Sequence, residues 1–94
     1  MPDTPTSSTP YSSYIANLLI QAKEDLVNRL SIPIDQIEVL EARSVVWPDA
    51  GLGCPQPGMR YKQVPVDGAL IRLQANGQVY EYHSGGRRGL FLCR

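Results

Sequence analysis

Asn76-Gly77 constrains this chain more than any other pair of residues. Asparagine followed by glycine is the preferred centre of a two-residue type I′ hairpin turn, because both positions need positive φ. On either side, residues 69–83 alternate in the manner of half-buried strands. A two-residue turn there fixes the register: Ala75 faces Gln78, Leu73 faces Tyr80, Arg72 faces Glu81 and Ile71 faces Tyr82. One side of the hairpin then carries Ile71, Leu73, Tyr80 and Tyr82, and the other sets Arg72 against Glu81. Turn chemistry, alternation and charge pairing agree, so an antiparallel sheet is the frame that the rest of the chain must fit.

Upstream, residues 14–30 repeat apolar side chains at helical spacing, with Ile15, Leu18, Leu19, Ala22, Leu26 and Leu30 along one stripe. Gln21, Lys23, Glu24, Asp25, Asn28 and Arg29 supply most of the polar side. Ile20 and Val27 fall off the stripe, either because the apolar face is wide and the sheet covers it, or as a second seam for a partner. Thr9-Pro10 reads as the helix start, and residues 1–8, rich in Pro, Ser and Thr, read as a flexible tail. Pro33 and Asp35 end the helix in a turn. Residues 37–47 read as a strand whose alternation slips at Val39-Leu40, where a bulge is expected. After a glycine-rich turn over residues 84–89, a last short strand puts Leu90 and Leu92 on one face and Phe91 and Cys93 on the other. The expected fold is α+β over residues 9–94: one N-terminal amphipathic helix packed on a three- or four-stranded antiparallel sheet.

At 94 residues the chain makes one domain, and a chain of this size buries roughly 60–65% of its unfolded surface, enough to fold with little margin. Nine basic and nine acidic side chains cancel, which removes the electrostatic case for nucleic acid. No apolar run is long enough for membrane insertion. The N-terminus lacks a basic start and an apolar stretch, so a cytoplasmic location is expected unless a leader has been removed. A monomer or weak homodimer is expected. One histidine and two cysteines in no C-x-x-C arrangement offer no recognisable metal set, and no cofactor motif is present.

Residues 48–68 form a long connection, rich in Pro and Gly, with a short strand expected near residues 61–66. Pro55 and Pro57 restrict Cys54 and Gln56 to extended conformations, so the segment is stiff. Two readings stay open. The loop is presented to a partner, with Trp47, Asp49, Leu52, Gln56, Met59 and Tyr61 as candidate contacts, or it roofs the core, with Trp47, Leu52 and Met59 as buried pegs. Cys54 and Cys93 are a candidate disulfide, worth about 4 kcal/mol in the chain-entropy model, or two buried thiols in a reducing compartment. His83, on the hairpin face opposite Tyr80 and Tyr82, reads as the end of a strand rather than a base for a cysteine nucleophile. Arg87 and Arg88 are a candidate anion contact at a hairpin tip, or a solvated turn.

The stretch W-P-D-A-G-L-G-C-P-Q-P-G-M, residues 47–59, is followed by Tyr61, Gln63-Val64, Gly68 and Tyr80-Glu81-Tyr82-His83. Together these resemble the signature of a group of small, uncharacterised bacterial domains, W-P-D-x-x-L-G-C-P-x-P-G-x-x-Y-x-Q-V and then Y-E-Y-H. The resemblance implies a shared domain and no activity. The expected function is a non-enzymatic binding or regulatory module that uses loop 48–59, with another protein as partner. The element order is similar to that of potato-inhibitor-I type protease inhibitors, which hold a rigid extended loop for a protease cleft. The alternatives are a subunit of a larger complex and a small thiol-redox protein using Cys54.

Overall fold

The Ser12 hydroxyl accepts a hydrogen bond from the Ile15 N–H at 3.2 Å and starts helix α1, Ser13–Leu30. The structure, a computed structural model, describes residues 11–93. The expected tail over residues 1–8 and the Thr9-Pro10 pair lie outside it. Within the described residues Ser12 is the cap of α1, and its side chain satisfies an otherwise orphan amide. At the far end Ser31 takes the left-handed conformation, φ 55°, and its N–H closes on the Val27 carbonyl at 2.8 Å. A single turn of 3-10 helix, Ile34–Gln36, follows Pro33 and redirects the chain.

Four antiparallel strands come next: β1 Glu38–Trp47, β2 Val66–Ala75, β3 Gln78–Gly85 and β4 Arg88–Cys93. They pair in chain order, so β1 and β4 are the edges of an open meander. The β2–β3 register is the one that the Asn76-Gly77 turn dictates, with Arg72 opposite Glu81 and Ile71 opposite Tyr82. Asn76 and Gly77 both have positive φ, 53° and 77°. The second hairpin turns at Gly86-Arg87, which leaves Arg88 already within β4.

The expected bulge in β1 is real, since the register skips Leu40 between Val39 and Glu41. It has a packing consequence. Side chains alternate faces along a strand, so Val39 would otherwise share the face of Glu41 and Arg43. The extra residue returns Val39 to the helix side, opposite Leu73, and leaves Leu40 exposed.

Helix α1 covers one face of the sheet. Ile15, Leu18, Leu19, Ala22 and Leu26 are buried against Ala69, Ile71, Leu73 and Tyr82, and Val27 and Leu30 pack at the margin. Ile20 stays 55% exposed, so the wide-face reading holds for Val27 and not for Ile20. The Tyr82 hydroxyl donates to Asp25 at 2.7 Å. Burial, and then that hydrogen bond, push the hydroxyl above the ordinary tyrosine range. Asp25 also pairs with Arg29 at 2.5 Å. No helix among the described residues is long and apolar enough to cross a membrane.

Candidate functional site

The face of the sheet turned away from α1 is covered by the long loop between β1 and β2, residues 48–65. Trp47, the last residue of β1, lays its indole across the sheet toward β3. The ring has room because β2 offers Gly68 beneath it. A Cβ on Gly68 would lie 2.6 Å from Trp47 Nε1 and 2.0 Å from the Ser84 carbonyl oxygen. Trp47 Nε1 donates to that same carbonyl at 2.8 Å, which ties the end of β1 to β3 over the top of β2. Beyond it, the indole stacks on His83, with ring centroids 4.7 Å apart and planes 24° from parallel.

The first half of the loop is wound down onto this platform by consecutive tight turns. Asp49 accepts the Gly51 N–H on its Oδ1 at 2.8 Å and the Leu52 N–H on its carbonyl at 3.2 Å. Gly51 then accepts from the Cys54 N–H at 3.0 Å, with Leu52 and Gly53 at φ 55° and 71° between them. A leucine in the left-handed region costs about 1–2 kcal/mol. Two contacts offset it. The Leu52 side chain is 4% exposed, and burying a leucine returns about 1.5–3 kcal/mol. Its carbonyl accepts a hydrogen bond from His83 Nδ1 at 2.8 Å. The next anchor is covalent: Cys54 is bonded to Cys93 in β4, with Cα atoms 5.9 Å apart.

The second half of the loop stands away from the sheet. Met59 N–H closes on the Gln56 carbonyl at 3.2 Å, with Gly58 at φ 80°. Pro57 followed by a positive-φ glycine is the central pair of a type II turn. The Tyr61 hydroxyl accepts the Gln56 N–H at 2.9 Å, and the Lys62 carbonyl accepts the Ala50 N–H at 3.0 Å. These two bonds close the neck of the loop. Gln56, Met59, Arg60 and Lys62 remain exposed, with Met59 at 62%.

Charges frame the platform. Arg72 on β2 lies between Glu41 on β1, at 3.6 Å, and Glu81 on β3, at 3.3 Å. Arg43 and then Arg72 hold the Glu41 carboxyl below its usual range. On β4 the Arg88 guanidinium rests 3.6 Å from the centre of the Phe91 ring, which meets His83 edge-on at 6.1 Å.

Residues 19–93 match the model of the family described as Domain of unknown function (DUF8738). The chain belongs to that family. No curated protein and no solved structure matches the chain. The DUF8738 span begins within α1 and ends at Cys93, so it takes in the whole sheet, the loop and both members of the disulfide.

Within this DUF8738 domain the six candidate contacts part company. Trp47, Asp49 and Tyr61 are half-buried, and their polar atoms are committed within the domain, Trp47 to the Ser84 carbonyl of β3 and Asp49 and Tyr61 to the loop itself. Leu52, expected as a contact or a peg, is a peg: the turn around it points its side chain to the interior. Met59, named in both readings, is no peg, because the type II turn carries it outward. Gln56 and Met59 are thus the two candidates that face solvent. The strand expected near residues 61–66 begins only at Val66. Before it, the Lys62 carbonyl is committed to Ala50, and Pro65 has no N–H to give a ladder. Arg87 sits at the exposed hairpin tip while Arg88 is laid on Phe91. The residue that sequence reasoning underrated is His83, the hub on which Trp47, Leu52, Glu81 and Phe91 converge. Its strand parity was the available signal, since it placed His83 on the face that the loop must cover.

Proposed function

We propose that this domain is a non-enzymatic recognition module whose contact surface is the outer half of the loop, residues 55–64. One observation carries the reading: Met59 projects into solvent from a turn whose two flanks are fixed, by the Cys54–Cys93 bond on one side and the Tyr61 and Lys62 hydrogen bonds on the other. Ordering a residue costs about 1–2 kcal/mol of backbone entropy. A loop ordered in advance does not pay that cost on binding, which favours affinity. Residues 50–66 carry Arg60 and Lys62 and no carboxylate. The partner we infer is a protein surface with an apolar recess for Met59 and acidic side chains around it. The W-P-D and C-P-x-P-G elements supply both the platform and the brace, and we infer that they mark the family for that reason.

An inhibitor-like use of the loop would need an extended segment at the tip, whereas this tip turns sharply at Pro57-Gly58. A thiol-redox role would need an accessible sulfur, whereas Cys54 is buried and bonded to Cys93. The test compares partner retention from native extract on the wild-type domain, on Met59→Asp with Arg60→Glu, and on a control, Val79→Ser, on the exposed side of β3. A protein held by wild type and control, and lost by at least about tenfold on the loop variant, supports the reading. A protein held equally by all three removes the loop from recognition.

A further inference from the structure

His83 is the single histidine of the chain, 3% exposed, and the recognition reading leaves its chemistry unused. Its Nδ1 lies 2.8 Å from the Leu52 carbonyl oxygen and its Nε2 lies 3.1 Å from Glu81 Oε1. A carbonyl oxygen only accepts, and so does an ionised carboxylate. A neutral imidazole carries one N–H and can satisfy one of the two. The imidazolium, with an N–H at each nitrogen, satisfies both.

The surroundings agree with a cation there. The Trp47 face lies 4.7 Å away, within the range in which an indole attracts positive charge. Every neighbouring element contributes to the balance. On β3, Glu81 contacts the ring directly. On β2, Arg72 engages the other oxygen of Glu81 at 3.3 Å, and on β1, Glu41 offsets Arg72 at 3.6 Å. On β4, Arg88 sits on Phe91, which presents a ring to His83. From the loop, Leu52 offers a carbonyl and Cys54 a disulfide sulfur, neither of which titrates, and Asp49 is occupied by the Gly51 N–H. Among the described residues, Glu81 is the one charge in hydrogen-bonding contact with the imidazole.

We propose that His83 is a proton-operated latch on the loop: as an imidazolium it ties the Leu52 carbonyl to the Glu81 carboxylate, and on losing the Nδ1 proton it keeps its bond to the carboxylate and releases the Leu52 carbonyl. Once its carbonyl is released, Leu52 loses part of what holds its left-handed backbone in place. The loop is therefore stiff when His83 is charged and looser when it is neutral. This holds whatever the loop binds.

The 94-residue chain suffices for the test, because its one histidine and one tryptophan make both signals unambiguous. The imidazole nitrogens are followed by 15N NMR from about pH 4 to pH 9. Trp47 emission and the exchange protection of the Cys54 amide are recorded alongside. At the acid end both ring nitrogens should carry protons. One transition should then remove a proton, raise Trp47 emission as the stacked cation is lost, and lower Cys54 protection about tenfold, the weight of one charge-assisted hydrogen bond. A ring that keeps one protonation state throughout overturns the proposal, and so does one that titrates while Cys54 protection stays constant. In His83→Gln the pH transition in Cys54 protection should vanish, and its survival would also overturn the latch. Should that variant not fold, the wild-type measurement decides alone.

Discussion

Trp47 and His83 stack face to face although a whole strand separates them: Trp47 ends β1, His83 lies in β3, and Gly68 of β2 is the gap through which they meet. Gly68→Ala should therefore lower stability by about 1–3 kcal/mol, the usual cost of overpacking. The Ser84 carbonyl that crowds the new methyl is backbone and cannot swing aside. Denaturant unfolding checks the loss, and Trp47 emission should shift toward the red as the indole is lifted into water. An unchanged midpoint would mean that the indole has another resting place.

The covalent anchor is tested by removing it. Replacing both Cys54 and Cys93 by alanine should cost about 2–4 kcal/mol in thermal or denaturant unfolding. Amide exchange should quicken first over residues 48–65, because the Trp47 and His83 hydrogen bonds must then hold that loop unaided. A change below about 0.5 kcal/mol would show that those bonds are sufficient.

Two substitutions on α1 separate its faces. Leu26 is fully buried, and Leu26→Ala should destabilise by about 2–5 kcal/mol. Ile20 is exposed, and Ile20→Ser should stay within about 0.5 kcal/mol. Equal effects at the two positions would mean that the helix docks through a different stripe.

Tyr82 gives the domain a dependence on alkaline pH. Burial and the hydrogen bond to Asp25 raise the folded-state pKa of Tyr82 above its unfolded value near 10.0. The neutral hydroxyl is thus favoured by folding. Its contribution is complete below the unfolded value and is lost as pH climbs beyond it toward the folded one. Unfolding midpoints measured between pH 8 and pH 11 should fall more steeply for wild type than for Tyr82→Phe. Parallel curves would place the alkaline loss elsewhere.

The elements were legible where short-range chemistry decides them. Asn76-Gly77 gave the hairpin register, and the repeat of Leu18, Ala22 and Leu26 gave the docking face of α1. The broken alternation at Val39-Leu40 gave the bulge. The disulfide pairing could be posed, but alternatives stayed open until the loop was seen to cross the sheet and bring Cys54 to Cys93. What the sequence withheld is the direction in which each loop residue faces. Leu52 and Met59 are both apolar members of one Pro/Gly-rich run, yet one is buried and the other projects. That division follows from the sign of φ at Leu52, Gly53 and Gly58, which no periodicity records.

The Cys54–Cys93 bond closes a covalent ring through β2, β3 and β4 and leaves α1 and β1 outside it. Under tension the two regions would answer differently. A pull on the N-terminal end can peel α1 and β1 away one hydrogen bond at a time, but the ring bears load through sulfur and cannot lengthen past its own circumference. The domain thus divides into a part that gives and a part that holds. The Pro/Gly-rich tip, residues 55–65, lies on the side that holds.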